Sequence, residues 1–303
     1  MRKAAVFVSL VGLALLTGCL GGPADTIDAD ISPDTEPVEV NQTGEEVLAS
    51  ALNSTKDIGS YTVESEHRFA AGASGFFNMN LSMESTGDFD REAEKARVDS
   101  RGTVGVAIFS FLDNETDFET SVYSDGETTY TRSVENGDDT GWSERGGNFS
   151  LVESVLGVDG VAELSRDTDA ELLGGETVDG VETYVVSVNA TPERLSRHSS
   201  AVIGLHGAGI EQRQDLEGVE EPPEGGETQI QELQTYVWVE RDTRRPVRVA
   251  YFMSMGPPED GEGEGSGNTT EGEGEDVTAG TVDFLFEADY DYAETDIEAP
   301  DGV

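Results

Sequence analysis

From Tyr61 onward the chain alternates. Tyr61, Val63, Ser65, His67 and Phe69 interleave with Thr62, Glu64, Glu66 and Arg68, and Phe77, Met79, Leu81 and Met83 interleave with Asn78, Asn80 and Ser82. A period of two sends successive side chains to opposite faces, so both runs are expected to be half-buried strands. Residues 95–104 continue the pattern and lead into the apolar run Val104 to Leu112. Residues 118–124 and 127–134 flank Asp125-Gly126, and Leu172 and residues 181–188 flank a connection containing Asp179-Gly180. Asp-Gly favours a tight hairpin because glycine accepts positive φ without strain. Residues 231–240 and 246–253 bracket Arg241-Asp242-Thr243-Arg244, and in residues 281–289 Val282, Phe284, Phe286 and Ala288 alternate with the acids Asp283, Glu287 and Asp289.

Helical spacing occurs in three places. Thr43 and Glu46 fit a capping box ahead of Leu48, Ala51, Leu52 and Thr55, and Gly59-Ser60 is expected to end that helix. Ser150 and Glu153 fit a second box ahead of Val155, Leu156, Val161 and Leu164. Thr191-Pro192 places a cap and a proline before Leu195, His198 and Val202. The tally predicts an α+β chain, mainly β, with a long antiparallel sheet and few helices. Two acidic, glycine-rich segments, 217–228 and 256–277, read as solvated loop insertions.

The amino terminus is of another kind. Arg2 and Lys3 precede the apolar stretch Ala4 to Leu16, and Leu16-Thr17-Gly18-Cys19 is similar to the lipobox of lipoprotein precursors. In that class the cysteine is lipidated and the chain is cut just before it, so residues 1–18 are expected to be a signal peptide and Cys19 the lipid anchor. The apolar stretch is short for a membrane span of about 20 residues. Residues 19–42, which show no apolar period, are expected to be a flexible tether, with the folded domain at 43–303. The expected address is the extracellular face of the cell membrane.

Charge changes the picture further. Against 18 Lys+Arg stand 63 Asp+Glu, a net charge of −45, with lysine only at Lys3, Lys56 and Lys95. Repulsion on that scale opposes compaction unless salt screens it, and near 1 M the Debye length is about 3 Å. The balance resembles that of halophilic archaeal proteins. It excludes nucleic acid as a partner, since phosphate binding needs a basic footprint. Cys19 is the lone cysteine, so no disulfide forms within the chain.

Three short runs, in order, carry a resemblance to a known family: Gly180-Val181-Glu182-Thr183-Tyr184, Val237-Trp238-Val239-Glu240-Arg241-Asp242-Thr243-Arg244-Arg245-Pro246-Val247, and Asp289-Tyr290-Asp291-Tyr292-Ala293-Glu294. Together with the helix capped at Thr43, they make the chain similar to the LolA-like and LppX/LprG-like lipoprotein-carrier superfamily. More narrowly, the chain resembles haloarchaeal lipoproteins of unknown function. The resemblance implies a strongly curved antiparallel sheet, an incomplete barrel, with helices over its concave face and an apolar cavity between them. It also implies a lipid or other apolar ligand rather than a reaction. Permanent anchoring departs from the soluble carriers and argues for holding or presenting a ligand over ferrying it.

The ligand-contact candidates are Phe77, Met79, Leu81 and Met83 on one strand and Val106, Ile108, Phe109 and Phe111 on the next apolar run. Methionine adapts to varied apolar shapes. The competing account has these side chains filling a packed core, in a structural or interaction protein of the envelope whose surface partners are unknown. His67, His198 and His206 have no metal-ligand spacing, no nucleophile or phosphate-binding motif occurs, and acids are too numerous to single out a pair. No catalytic residue, metal or cofactor is therefore expected. Of seven Asn-x-Ser/Thr sequons, Asn41 and Asn268 lie in expected loops and are the glycosylation candidates.

Overall fold

The computed structural model describes Ile27 and residues 31–73, 77–108, 112–145, 147–165, 168–195, 197–198, 201, 229–256 and 281–303. Helix α1 (Gly44–Ser54) opens the domain and is followed by the long strands β1 (Ser60–Ala73), β2 (Phe77–Asp90), β3 (Lys95–Ile108) and β4 (Leu112–Asp125). Next come β5 (Thr129–Glu135), the short β6 (Asp138–Asp139) and β7 (Ser143–Arg145), and the helices α2 (Phe149–Leu156) and α3 (Val158–Ser165). The chain closes with β8 (Ala170–Val178), β9 (Val181–Val188), β10 (Gln229–Glu240), β11 (Pro246–Gly256) and β12 (Thr281–Asp291).

All strands join one antiparallel sheet in the order β6-β5-β4-β3-β2-β1-β12-β11-β10-β9-β8, with β7 on β5. Two meanders, β1 to β6 and β8 to β12, therefore meet where the first strand pairs with the last, from Thr62 opposite Asp291 to Gly72 opposite Thr281. The sheet is strongly curved but does not close, since β6 and β8 are its two ends. This is the long, mainly-β antiparallel sheet expected from the alternation, in the incomplete-barrel form that the resemblance implies.

The alternation decides which face is inside. Tyr61, Val63 and Phe69 of β1, Met79, Met83 and Phe89 of β2, and Phe284, Phe286 and Ala288 of β12 join one core with Val47, Leu48 and Ala51 of α1 and Val152, Val155, Val161 and Leu164 of α2 and α3. The helices thus cover the concave face. Fully burying one such side chain contributes about 1.5–3 kcal/mol.

Helix α1 carries the predicted capping box: Thr43 Oγ1 accepts from the Glu46 amide at 3.2 Å and the Glu46 carboxylate accepts from the Thr43 amide at 3.0 Å. At α2 the cap lies two residues earlier than predicted. Asn148 accepts from the Leu151 amide at 3.1 Å, so Glu153 is free to turn inward, where its carboxylate meets Arg91 at 2.7 Å and accepts from the Tyr61 hydroxyl at 3.2 Å. Tyr61 itself stacks on Phe89, with centroids 4.8 Å apart, and its hydroxyl accepts from the Val158 amide at 3.2 Å. One tyrosine thereby fixes the junction of α2 and α3 to the sheet.

The segment before α1 is in contact with the sheet over most of its described length. The Ile27 amide donates to Asp283 on β12 at 3.1 Å, Ile31 packs on an outer-face cluster of Val178, Val185, Trp238 and Ala250, and Glu36 bridges Gly175 of β8 with amide–carbonyl bonds of 2.8 and 2.9 Å. Val38 and Val40 then pack against the main core. The strap crosses the convex face from β12 to β8 and partners part of an edge strand that would otherwise offer unpaired amides.

A Cβ at Gly157 would stand 2.2 Å from the Tyr61 hydroxyl. Gly157→Ala is expected to cost about 1–3 kcal/mol through that overlap, measured by denaturant unfolding at fixed molar salt. An unchanged midpoint would show that the hydroxyl is not what seats the helix pair.

Candidate functional site

The concave face is graded from one end to the other. At the end near Tyr61 and Phe89 it is sealed by α1, α2 and α3, and Tyr61, Val63, Phe89, Val98 and Val152 are fully buried. At the other end, where β1 passes to β2 and β3 to β4, Leu81, Val106, Phe118, Leu233, Met255 and Val282 are only half-buried against the core. An apolar inner wall that becomes partly exposed at one end is what a mouth for an apolar ligand requires.

The strand register brings several predicted contacts together. Met79 stands opposite Val106, and Phe77 opposite Ile108. Met79 and Met83 are buried, at 4 % and 1 % exposure, whereas Leu81 and Val106 remain half-buried. Phe109 and Phe111 lie outside the described residues. So do Cys19, Leu16, Thr17, Gly18 and Asn268, while Asn41 is exposed ahead of α1. The turn motif at residues 241–245 is structural in this setting: Arg241 and Arg244 lie over the Tyr184 ring at 5.3 and 4.8 Å, Arg245 over Tyr292 at 5.1 Å, and the Arg244 carbonyl accepts from Ser54 at 2.7 Å.

The interior also holds polar groups that sequence reasoning missed. Ser65, Ser85, Ser100 and Thr120 all face inward and are buried. Their signal is polar residues at inward-parity positions. Register between strands, which the sequence does not display, is what aligns them. His198 contacts the Tyr251 hydroxyl through Nδ1 at 3.1 Å and packs edge-on against Phe286. Burial of the imidazole drives its pKa from 6.5 down to about 4, against a hydrogen bond with the Val155 backbone. Burial first, and the Asp159 carboxylate second, push Glu153 from 4.5 up to about 7, outweighing the pull of Arg91 and of the Tyr61 hydroxyl.

A cleft of about 380 Å³ opens on the surface between Asp90, Glu92, Arg245, Tyr292 and Glu294. Its lining is mainly polar and its place is outside the concave core, so it does not suit an apolar chain. Among the described residues no cluster of three or more His, Cys, Asp or Glu is arranged to hold a metal ion, and no helix is long and apolar enough to cross a membrane.

No protein-family model and no curated protein matches the chain. Among solved structures it is similar to lipoprotein LppX of Mycobacterium tuberculosis, 13 % identical over 79 % of this chain and 92 % of that one, with a TM-score of 0.32. It is also similar to a LolA superfamily protein of Nitrosomonas europaea, 14 % identical over 86 % and 96 %, with a TM-score of 0.21. A DUF1329 family protein of Desulfovibrio piger is 14 % identical over 85 % and 95 %, with a TM-score of 0.25. Identities and scores this low decide neither family nor function.

Glu153 and His198 act on stability in opposite senses. Between about pH 4.5 and 7 folded Glu153 keeps a proton that the unfolded chain has released, so stability falls as pH rises. Between about pH 4 and 6.5 unfolded His198 holds a proton that the folded chain excludes, so stability rises with pH. At fixed molar salt, Glu153→Gln is expected to make the unfolding midpoint climb more steeply from pH 4.5 to 6.5 than in the parent, and His198→Gln to make it climb less. Displacements of the same sign would contradict the assignment.

Proposed function

We propose that this chain is a lipid-anchored protein of the outer membrane face that holds an apolar or lipid ligand against the concave side of its sheet and catalyses no reaction. The observation that carries the reading is the graded inner wall. Leu81, Val106, Phe118, Met255 and Val282 form an aliphatic and aromatic surface, half-buried beside the buried Met79, on a sheet sealed at its other end. Each Å² of apolar ligand surface buried there contributes about 25 cal/mol. Phe77, Ile108, Phe109 and Phe111 belong to the same proposed contact set by strand register or position in sequence.

The anchor reading rests on the Leu16-Thr17-Gly18-Cys19 motif behind a basic and apolar leader. Stable retention requires more than one short acyl chain, because a single one binds only marginally. With a net charge of −45, the working environment proposed is molar salt and the origin a halophilic archaeon. Asn41, exposed just ahead of α1, and Asn268 are the proposed glycan acceptors.

A second reading has an observation of its own. Met79 and Met83 are as buried as ordinary core residues, which suits a filled core in an envelope protein that meets surface partners through its acids and bridging cations.

Leu81→Trp separates the two. On the ligand reading it lowers bound lipid several-fold while shifting the unfolding midpoint little; on the filled-core reading it destabilises by about 1–3 kcal/mol with no ligand to lose. Cys19→Ser is expected to release the protein from the membrane fraction, and unchanged retention would refute the anchor.

A further inference from the structure

Four inward-facing hydroxyls form a row across the concave side of the sheet. Ser65 on β1 is opposite Ser85 on β2, Ser85 opposite Ser100 on β3, and Ser100 opposite Thr120 on β4. Their exposures are 7, 5, 5 and 4 %, so each side chain is more than nine-tenths buried. Ser65 contacts His67 Nε2 at 3.1 Å. The hydroxyls of Ser85 and Ser100, at the centre of the row, have no hydrogen-bond partner.

A buried hydroxyl left without a partner costs on the order of 1–3 kcal/mol, and folded proteins rarely tolerate two side by side without something to bond them. The flanking positions on β2 and β3 offer Ser85 and Ser100 no polar side chain, and the one polar neighbour in those rows, His67, contacts Ser65. On one side Val63, Gly87, Val98 and Val122 stand in register, and on the other His67, Met83, Gly102 and Phe118. No Lys or Arg is among these neighbours. The row therefore suits oxygen atoms that are uncharged.

Its depth is informative as well. Met79, buried beside the half-buried Leu81 and Val106, precedes Ser85 by six residues on β2, which at strand rise is about 20 Å. Met83 and Leu81 lie between on the same face. A methionine can swing aside for an entering group more readily than a branched side chain.

We propose that Ser65, Ser85, Ser100 and Thr120 form a polar subsite that receives an uncharged, oxygen-bearing head, a hydroxyl, ether or ester, of an amphiphile whose chain lies toward Met79 and Val106. The inference rests on the apolar-ligand reading and narrows it from any apolar molecule to an amphiphile that enters head first. Ser85 and Ser100 donate to the head oxygens, and their neighbours in the row extend the polar track.

The test uses the full chain in molar salt, offered equal amounts of 1-O-hexadecylglycerol and hexadecane, then gel-filtered, extracted and assayed for each probe per protein. The parent is expected to retain the glycerol ether over hexadecane by about tenfold or more, which is what two hydrogen bonds of ordinary strength supply. In Ser85→Ala/Ser100→Ala that preference is expected to disappear while hexadecane retention stays the same, and each single variant is expected to lose part of it. An unchanged preference in the double variant, or loss of both probes together, overturns the subsite and leaves the row to water or to packing. Failure of the parent to retain either probe refutes the ligand reading itself, and the subsite with it.

Discussion

Everything on the concave face depends on one pairing, that of β1 with β12. It joins residues more than two hundred positions apart, from Thr62 with Asp291 to Gly72 with Thr281, and fuses two hairpin meanders into a single curved wall. Tyr61 reaches Tyr290 across this seam, Phe69 reaches Phe284, and His67 packs on Phe286, which in turn stacks on Tyr251. Closing so long a loop costs about 5 kcal/mol on a (3/2)RT ln n scale, and the cost grows only slowly with length. For that reason the long connections after β9 and β11 are tolerable. The same non-local topology predicts slow folding.

The seam also explains how one chain can be so acidic and still have a core. Alternation in every long strand sends charges to the convex side and leaves valine, methionine and aromatic residues inside. The few arginines sit among acids, as in Arg248 with Asp289 at 2.5 Å and Arg132 with Asp139 at 2.6 Å. Exposed pairs such as the second contribute at most about 1 kcal/mol each. Pairing therefore offsets little of the repulsion, which salt would screen.

Much of the fold was legible because its signals are local. The period of two in β1 and β2, the Asp-Gly turns at Gly126 and Gly180, and the Thr43 capping box depend on residues within a few positions of each other, and they appear where the sequence put them. The cap of α2 was misplaced because Asn148 competes with Ser150 for the same role, and tertiary contacts with Arg91 and Tyr61 draw Glu153 inward. The hydroxyl row was invisible for a deeper reason. Ser65, Ser85, Ser100 and Thr120 become neighbours only through three strand registers, and register is set by turns and packing rather than by any single strand. Residues 31–40 were similarly unreadable, since the partners of Ile31 and Glu36 lie on β8 to β11 and no apolar period marks a segment that straps across a sheet.

The concave face therefore combines a sealed end, a polar middle and a half-exposed apolar end, an arrangement suited to an amphiphile held along β2 and β3. The most direct measurement is native mass spectrometry, after exchange into a volatile high-salt buffer, of protein purified in molar salt from a host with its own membranes, followed by solvent extraction. The account predicts a stoichiometric amphiphile carrying uncharged oxygens at one end of a long apolar chain. A clean mass with nothing bound, from protein that remains folded, would contradict it and leave a filled core in its place.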